Sequence, residues 1–334
     1  MNPVRIATLR YDLPGPAVTD GELAGELGCS AADVHSYSGG GLRHSAPDGE
    51  GPSHLAQRAA VAALESRGLG VDDLDFIIFS TNTADLFFPG SACCLQALLE
   101  APTVGCLDIR SQCTGFIVGL DLASRFVATG TYGRVGLAVA EVPSHHNRMD
   151  GQELALAAGM SDAGAVMLVE AGEGSGQVLS AVSAVDGSRH QEYWCEAPAS
   201  RHLKDTGIKR GHRWTIEMIE AGRIYPKADL PALRETAVRE APAILAEALS
   251  RAGLEKVDAA IVAHVDTEAR VSLAEIASAK AGRVIDNDLL YSMGASLPIA
   301  FERARTSGAL AAGETVALLT SGSGASWGAA VVVA

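Results

Sequence analysis

Self-similarity at a fixed offset constrains this chain more than any local feature, because a duplicated sequence has to build the same supersecondary unit twice and bury the copies against each other. Three stretches carry the repeat. "LGVDDLDFIIFSTNT" at 69–83 resembles "LEKVDAAIVAHVDTE" at 254–268, with Asp75 opposite Asp258, 183 residues apart. "CTGFIVGLDLASRFVATGTYGRVGLAV" at 113–139 resembles "MGASLPIAFERARTSGALAAGETVALL" at 293–319, with Gly133 opposite Gly313, 180 residues apart. "DAGAVMLVEA" at 162–171 resembles the C-terminal "GASWGAAVVVA".

Each half reads as strand, helix, strand, helix, strand and strand. Runs such as "FIIFS", "VGLAVAEV", "AAIVAHV" and "TVALLTS" are apolar throughout, as central strands covered on both faces are. Two such halves sharing helices between their sheets predict a five-layered α-β-α-β-α fold. A chain of 334 residues is also long for one simple core. The expected boundaries are an N-terminal half over 1–171 and a C-terminal half over 172–334. Within the latter, about 172–229 is polar, irregular and rich in His, Trp and Arg, and reads as an insertion covering a site.

The formal net charge of −14 argues against nucleic acid and anionic membrane as partners, since such binding needs clustered Lys and Arg. The six cysteines form no CxxC pair and have no histidines at ligand spacing, so no metal site is expected. The N-terminal stretch lacks the apolar core of a signal peptide, and no window reaches 18 uninterrupted apolar residues. A cytoplasmic setting with free thiols follows as the expectation.

Two side chains draw attention to chemistry. In "DIRSQCTGFIVGLDLASRF", residues Phe116, Ile117, Leu120, Ala123 and Phe126 keep helical spacing after a run of cap-type residues, which places Cys113 at a helix N-terminus. There the dipole and free N–H groups favour a thiolate and should lower the thiol pKa; a buried structural cysteine satisfies the same spacing. His264 ends the apolar run "AAIVA", where open α/β sheets place ligands. A histidine there either hydrogen-bonds to a thioester carbonyl or takes a proton from an incoming nucleophile, although a structural histidine also fits. The repeat pairs Thr81 with His264 and Cys113 with Met293, so both candidates stand near a pseudo-twofold axis. A third element, "GSGASWG" near the C-terminus, permits close backbone approach and amide donation to an oxyanion.

Taken in order, "GLRH", "NTADLFFPGSACCLQALL", "DIRSQCTGFIVGL", "SDAGAVMLVEA", "VAHVDTEAR", "GASLPIAFERA" and "GSGASWGAAVVV" resemble, almost end to end, the β-ketoacyl-acyl-carrier-protein synthase III branch of the thiolase superfamily. The resemblance implies a thiolase-like fold of two duplicated halves and a homodimer joined through the strand around "APTVGCLDI". It implies that Cys113 accepts an acyl group from a CoA or carrier-protein thioester, that His264 is its partner, and that the backbone amides of Cys113 and Ser323 form an oxyanion hole. No cofactor is implied beyond that thioester substrate. Pocket-lining residues are expected around Phe87, Phe88, Trp194 and Trp214.

Two departures from the family pattern bear on the reaction. The family's asparagine, which with the histidine stabilises the enolate formed on decarboxylation, is matched here by Tyr291. The tryptophan and arginine that the family offers to adenine are matched by His35 and Gly39 in "HSYSGGGLR". Acyl transfer needs only a nucleophile, a base and an oxyanion hole, so the leading expectation is an acyltransferase passing its acyl group to an O, N or S nucleophile in polyketide-type natural-product biosynthesis. Decarboxylative Claisen condensation to a β-ketoacyl product is the alternative. A partner subunit with a silent site conflicts with retention of both Cys113 and His264.

Overall fold

The computed structural model describes residues 2–196 and 215–334; Trp214 lies outside them. In the first half the strands are β1 (Val4–Asp12), β2 (Phe76–Ser80), β3 (Gly105–Ile109), β4 (Arg134–Glu141) and β5 (Ala163–Ala171). Its helices are α1 (Asp20–Leu27), α2 (Ala31–Ser38), α3 (Pro52–Glu65), α4 (Ser91–Leu98), α5 (Gly115–Ala128) and α6 (Leu154–Gly159). The second half contains β6 (Val178–Val185), a small hairpin of β7 (Tyr193–Cys195) and β8 (Pro226–Ala228), then β9 (Val257–Ala263), β10 (Ala281–Ile285), β11 (Thr315–Gly322) and β12 (Ser326–Val333). Its helices are α7 (Ile216–Glu220), α8 (Leu230–Ala252), α9 (Thr267–Ser278) and α10 (Ser296–Thr306).

The sheet orders are β1-β5-β4-β2-β3 and β6-β12-β11-β9-β10, each with five strands. Their pairings agree in kind: antiparallel, antiparallel, parallel, parallel. α3 and α4 cover one outer face and α8 and α9 the other, each with its own apolar cluster. α5 and α10 lie between the sheets and touch both, inside the largest cluster. This is the five-layered thiolase-like fold. α5 comes close to its sheet because position 115 has no side chain; a Cβ on Gly115 would overlap the Ser80 hydroxyl.

Two readings need correcting. Each half opens with one more strand and helix, β1 with α3 and β6 with α8, than the repeat pattern suggested. Consequently residues 178–185 are a sheet strand, not the start of an insertion. The stretch "VLSAVSAV" carries small and polar residues because β6 is an edge strand, paired only to β12.

The ladders also refine the repeat. Phe76 lies beside Val135 and Ala259 beside Val316, so this part of the chain keeps an offset of 316 − 135 = 181. The 3-10 turns that open α5 and α10, Gln112–Thr114 and Met293–Ala295, agree: Gln112 (φ 50°) and Met293 (φ 47°) are both left-handed. The mate of Cys113 is therefore Gly294, not Met293. No helix among the described residues is long and apolar enough to cross a membrane.

Candidate active site

Cys113 sits in the middle of the turn Gln112–Thr114, directly ahead of α5 and at the C-terminal end of β3. Its side chain is 2% exposed. The turn Gly322–Ser326 between β11 and β12 closes over it, and a Cβ on Gly322 would overlap the Cys113 sulfur, so glycine is what leaves room for the nucleophile. The backbone N–H groups of Ser323 and of Cys113 itself act on this thiol to lower its pKa, and they are the kind of donor pair a thioester oxyanion would need. The turn is held rigid: the Ser323 hydroxyl donates to the Tyr193 carbonyl at 2.6 Å and the Ser326 hydroxyl to the Ser323 carbonyl at 2.7 Å.

The expected lowering of the Cys113 pKa is not what the site produces. Burial pushes the thiol up to about 11, against the pull of the Tyr291 hydroxyl and the Ser323 N–H, and buried Glu141 raises it further. A dry site penalises any anion that its own donors do not fully satisfy. The resting residue is a thiol, and charge develops on it only as substrate arrives.

His264 follows β9 and is 4% exposed. The Asp266 N–H donates to its Nδ1 at 3.0 Å. Burial lowers its pKa to about 4, so the ring is neutral near pH 7. With Nδ1 an acceptor, the proton of the neutral ring is assigned to Nε2. That Nε2 is buried with no partner among the described residues. His264 thus presents a hydrogen-bond donor, and of the two sequence-based roles the geometry fits the donor to a thioester carbonyl better than the base. Asp266 is fixed in turn by Arg234, whose Nε donates at 2.7 Å.

Tyr291, at the asparagine position, is 6% exposed. Its hydroxyl lies near the site Gly322 keeps empty, 3.5 Å from where a Cβ would stand, facing the Cys113 sulfur and Thr320. It meets hydrogen-bond geometry to neither, and so it too is a buried group without a partner among the described residues. Burial holds its pKa well above that of an ordinary phenol.

A cavity of about 430 Å³ is lined in part by Gln112, Ser323 and Gly324, residues that flank Cys113. Tyr193 and Trp194 line it, as do Arg110, His146 and His190. Trp194 is the expected pocket residue that the fold brings here. Phe87 and Phe88 are not among its lining residues; they stand 57% and 73% exposed on the loop between β2 and α4, their rings edge to face at 6.3 Å. His35 lies on α2 and is engaged with Asp20 at 3.0 Å, and Gly39 caps that helix.

Sequence reasoning passed over Glu141 and Arg110. Glu141 is fully buried at the end of β4, accepting from the Asn82 N–H at 2.9 Å, the Asn82 side chain at 2.8 Å and the Thr83 hydroxyl at 3.1 Å. Burial raises its pKa to about 7. An acid closing an otherwise apolar strand run was the available signal. Arg110 stood within the very stretch read for Cys113, but nothing local showed where it points.

A duplicated fold that brings a cysteine at a helix start, paired amides and a donor histidine to its pseudo-twofold axis defines the class: a thiolase-superfamily enzyme fold. The family pattern described as 3-oxoacyl-[acyl-carrier-protein (ACP)] synthase III matches residues 107–187, and its C-terminal pattern matches 249–334. The β-ketoacyl-[acyl-carrier-protein] synthase III of Clostridioides difficile is 31% identical over 87% of this chain and 86% of its own. Among solved structures, the 3-oxoacyl-[acyl-carrier-protein] synthase III of Aquifex aeolicus superposes with a TM-score of 0.82 at 25% identity, covering 99% of this chain and 100% of that one. The priming β-ketosynthase of the R1128 polyketide pathway superposes at 0.80 with 20% identity over 99% and 96%, a likeness of fold. The chain belongs to the β-ketoacyl-acyl-carrier-protein synthase III family, whose named members are condensing enzymes.

Proposed function

We propose that this protein is an acyltransferase that takes an acyl group from a CoA or carrier-protein thioester onto Cys113 and passes it to an O, N or S nucleophile. Backbone amides of Cys113 and Ser323 hold the oxyanion, and the Nε2–H of His264 assists at the carbonyl. The carrying observation is Tyr291: the residue that replaces the family's asparagine brings its hydroxyl, rather than a side-chain amide, to the space in front of the Cys113 sulfur. Because His264 is a donor in its resting tautomer, the acceptor asking least of the site is a carrier thiol, which ionises more readily than an alcohol or an amine.

The proposed setting is cytoplasmic, natural-product biosynthesis of polyketide type, supported by the departures at Tyr291, His35 and Gly39. The assembly proposed is a homodimer, supported by the exposed edge strand β3, which pairs only with β2; light scattering at the single-chain mass would contradict it. No cofactor enters the scheme. A second reading, decarboxylative condensation, is favoured by one feature: His264 Nε2 and the Tyr291 hydroxyl are two buried donors without partners, the number an enolate oxygen needs.

Intact-mass measurement after incubation with acyl thioesters, followed by peptide mapping, should place the added mass on Cys113, and Cys113→Ala should abolish it. Label on Cys93 or Cys106 would refute the nucleophile. Acyl-enzyme given isotopically labelled malonyl thioester should release little carbon dioxide and form no β-keto product; steady formation of labelled β-ketoacyl product would establish condensation instead.

A further inference from the structure

We infer that the cavity at Cys113 takes an acyl group that ends in a carboxylate, a short dicarboxylic acyl unit, with Arg110 as the counter-ion of its free end. The inference rests on the reading of Cys113 as the acylated residue and adds the chemical class of what it carries.

The chain has 40 acidic and 26 basic residues, so an arginine left without a carboxylate is unusual in it. Of the other arginines among the described residues, all but Arg5 have a carboxylate at ion-pair distance: Arg43 with Asp20, Arg134 with Glu170, Arg234 with Asp266 and Arg283 with Glu314 are examples. Arg110 makes neither a hydrogen bond nor an ion pair among the described residues, and it lines the cavity. Among the described residues its lining holds no aspartate or glutamate; its polar side chains include Gln112 and the imidazoles of His146 and His190. Acids on the flanking elements are occupied. Asp108 on β3 accepts from the N–H groups of Ser91 at 2.7 Å and Ala92 at 3.0 Å, and Glu141 accepts from Asn82 and Thr83. Burial, with smaller contributions from the charges of His145 and Arg110, lowers the pKa of His146, so that lining imidazole is a neutral neighbour. The lining thus offers an unneutralised guanidinium, a group that binds carboxylates bidentately. The same lining includes Gln112 and Ser323, which flank the nucleophile.

In the loading step the Cys113 sulfur forms a bond to the thioester carbonyl carbon and the bond from that carbon to the donor sulfur breaks. The donor leaves as a thiol, carrying the proton that Cys113 gives up. The distal carboxylate takes no part in the bonding changes and serves only to hold the chain.

The test compares two donors of similar length, succinyl-CoA and pentanoyl-CoA, by the rate at which intact mass shows the acyl group on Cys113. Succinyl should load about tenfold faster or more, the scale of a hydrogen bond to a charged group. Arg110→Gln should remove that preference, and Arg110→Lys should restore part of it. Equal or faster loading of pentanoyl, or a preference untouched by Arg110→Gln, overturns the inference. If neither donor loads Cys113, the acyl-enzyme reading fails on its own account, and alkylation decides the cavity separately. Iodoacetate and iodoacetamide differ mainly in charge, and their rate ratio at Cys113, read by peptide mapping, should fall on Arg110→Gln. A ratio that does not move, or no alkylation of Cys113 by either reagent, rejects an anion-binding cavity leading to this sulfur.

Discussion

The turns Gln112–Thr114 and Met293–Ala295 follow the same backbone path, down to the left-handed first residue, and then diverge in what they carry. In the first half the middle position is Cys113 and the matched strand end is Glu141; in the second half the middle position is Gly294 and the strand end is Gly322. Their contacts cross the axis. Cys113 fills the space in front of Gly322, while a Cβ on Gly294 would meet Val139 Cγ1 at 3.1 Å and the Glu141 carboxylate oxygen at 3.7 Å. Each large side chain of one half lies against a glycine of the other. Thr81 and His264, one residue past matched strand ends, diverge likewise: Thr81 contributes to the Glu141 shell, while His264 is turned by Asp266 to expose a donor. Duplication therefore gave two equivalent places for a nucleophile, and divergence left room and donors at only one of them.

The strongest challenge to this asymmetry moves the thiol. In the double variant Cys113→Ala with Gly294→Cys, acylation should remain abolished, because the relocated sulfur faces a carboxylate rather than the amides of Ser323 and position 113. Acyl mass mapped to the relocated thiol would show the two turns to be chemically equivalent.

Next in size is the loss of the donor at the second strand end. His264→Ala should slow turnover by roughly a hundred- to a thousand-fold, as removal of one oxyanion donor does, with acyl-Cys113 still seen by intact mass. In the unaltered protein the pH–rate profile should lack a limb near 6.5, since the ring stays neutral until about pH 4; a limb near 6.5 that vanishes in the variant would restore histidine as a base.

Glu141 offers a comparison by pH. Its folded pKa of about 7 lies above the ordinary value of 4.5, so the fold favours the protonated form. Its contribution is complete below about pH 4.5 and is lost as pH rises through 7, on the order of 3 kcal/mol in all. Denaturant unfolding of Glu141→Gln against the parent should show the variant gaining in relative stability between pH 5 and 8. A difference that is flat with pH would remove the buried carboxyl from the account.

A smaller effect belongs to the opposing glycine: Gly322→Ala should cost about 1–3 kcal/mol of stability through overpacking, measured by thermal unfolding, and retard alkylation of Cys113. Smallest is a control on which the halves agree. Asp75 accepts from the N–H groups of Gly133 and Arg134, both at 2.8 Å, and Asp258 from the N–H and hydroxyl of Thr315, also at 2.8 Å. Alanine at either position should cost about 1 kcal/mol and about equally; unequal costs would mean that the halves differ in their frame as well as in their site.

Much of this was legible in the order of residues. The repeat, the apolar strand runs, the helix start after Cys113 and the strand end before His264 are periodic or local signals, and they were enough to anticipate the layered architecture. What escaped was β6, whose edge position permits small and polar residues, and the one-residue shift that makes Gly294 the mate of Cys113. A shift of that size does not change an apolar pattern, and it becomes visible only when ladders fix which residues face each other.

The sequence alone determined that two copies of one unit would pack together, because hydrophobic period and turn chemistry act within a few residues of where they are written. Tertiary structure alone decided the chemistry of the axis. The protonation of Cys113, the tautomer of His264 and the carboxyl of Glu141 near pH 7 all follow from desolvation and from partners that the fold brings up to them. Those quantities depend on what surrounds a charge in three dimensions, and no spacing along a single chain encodes that directly.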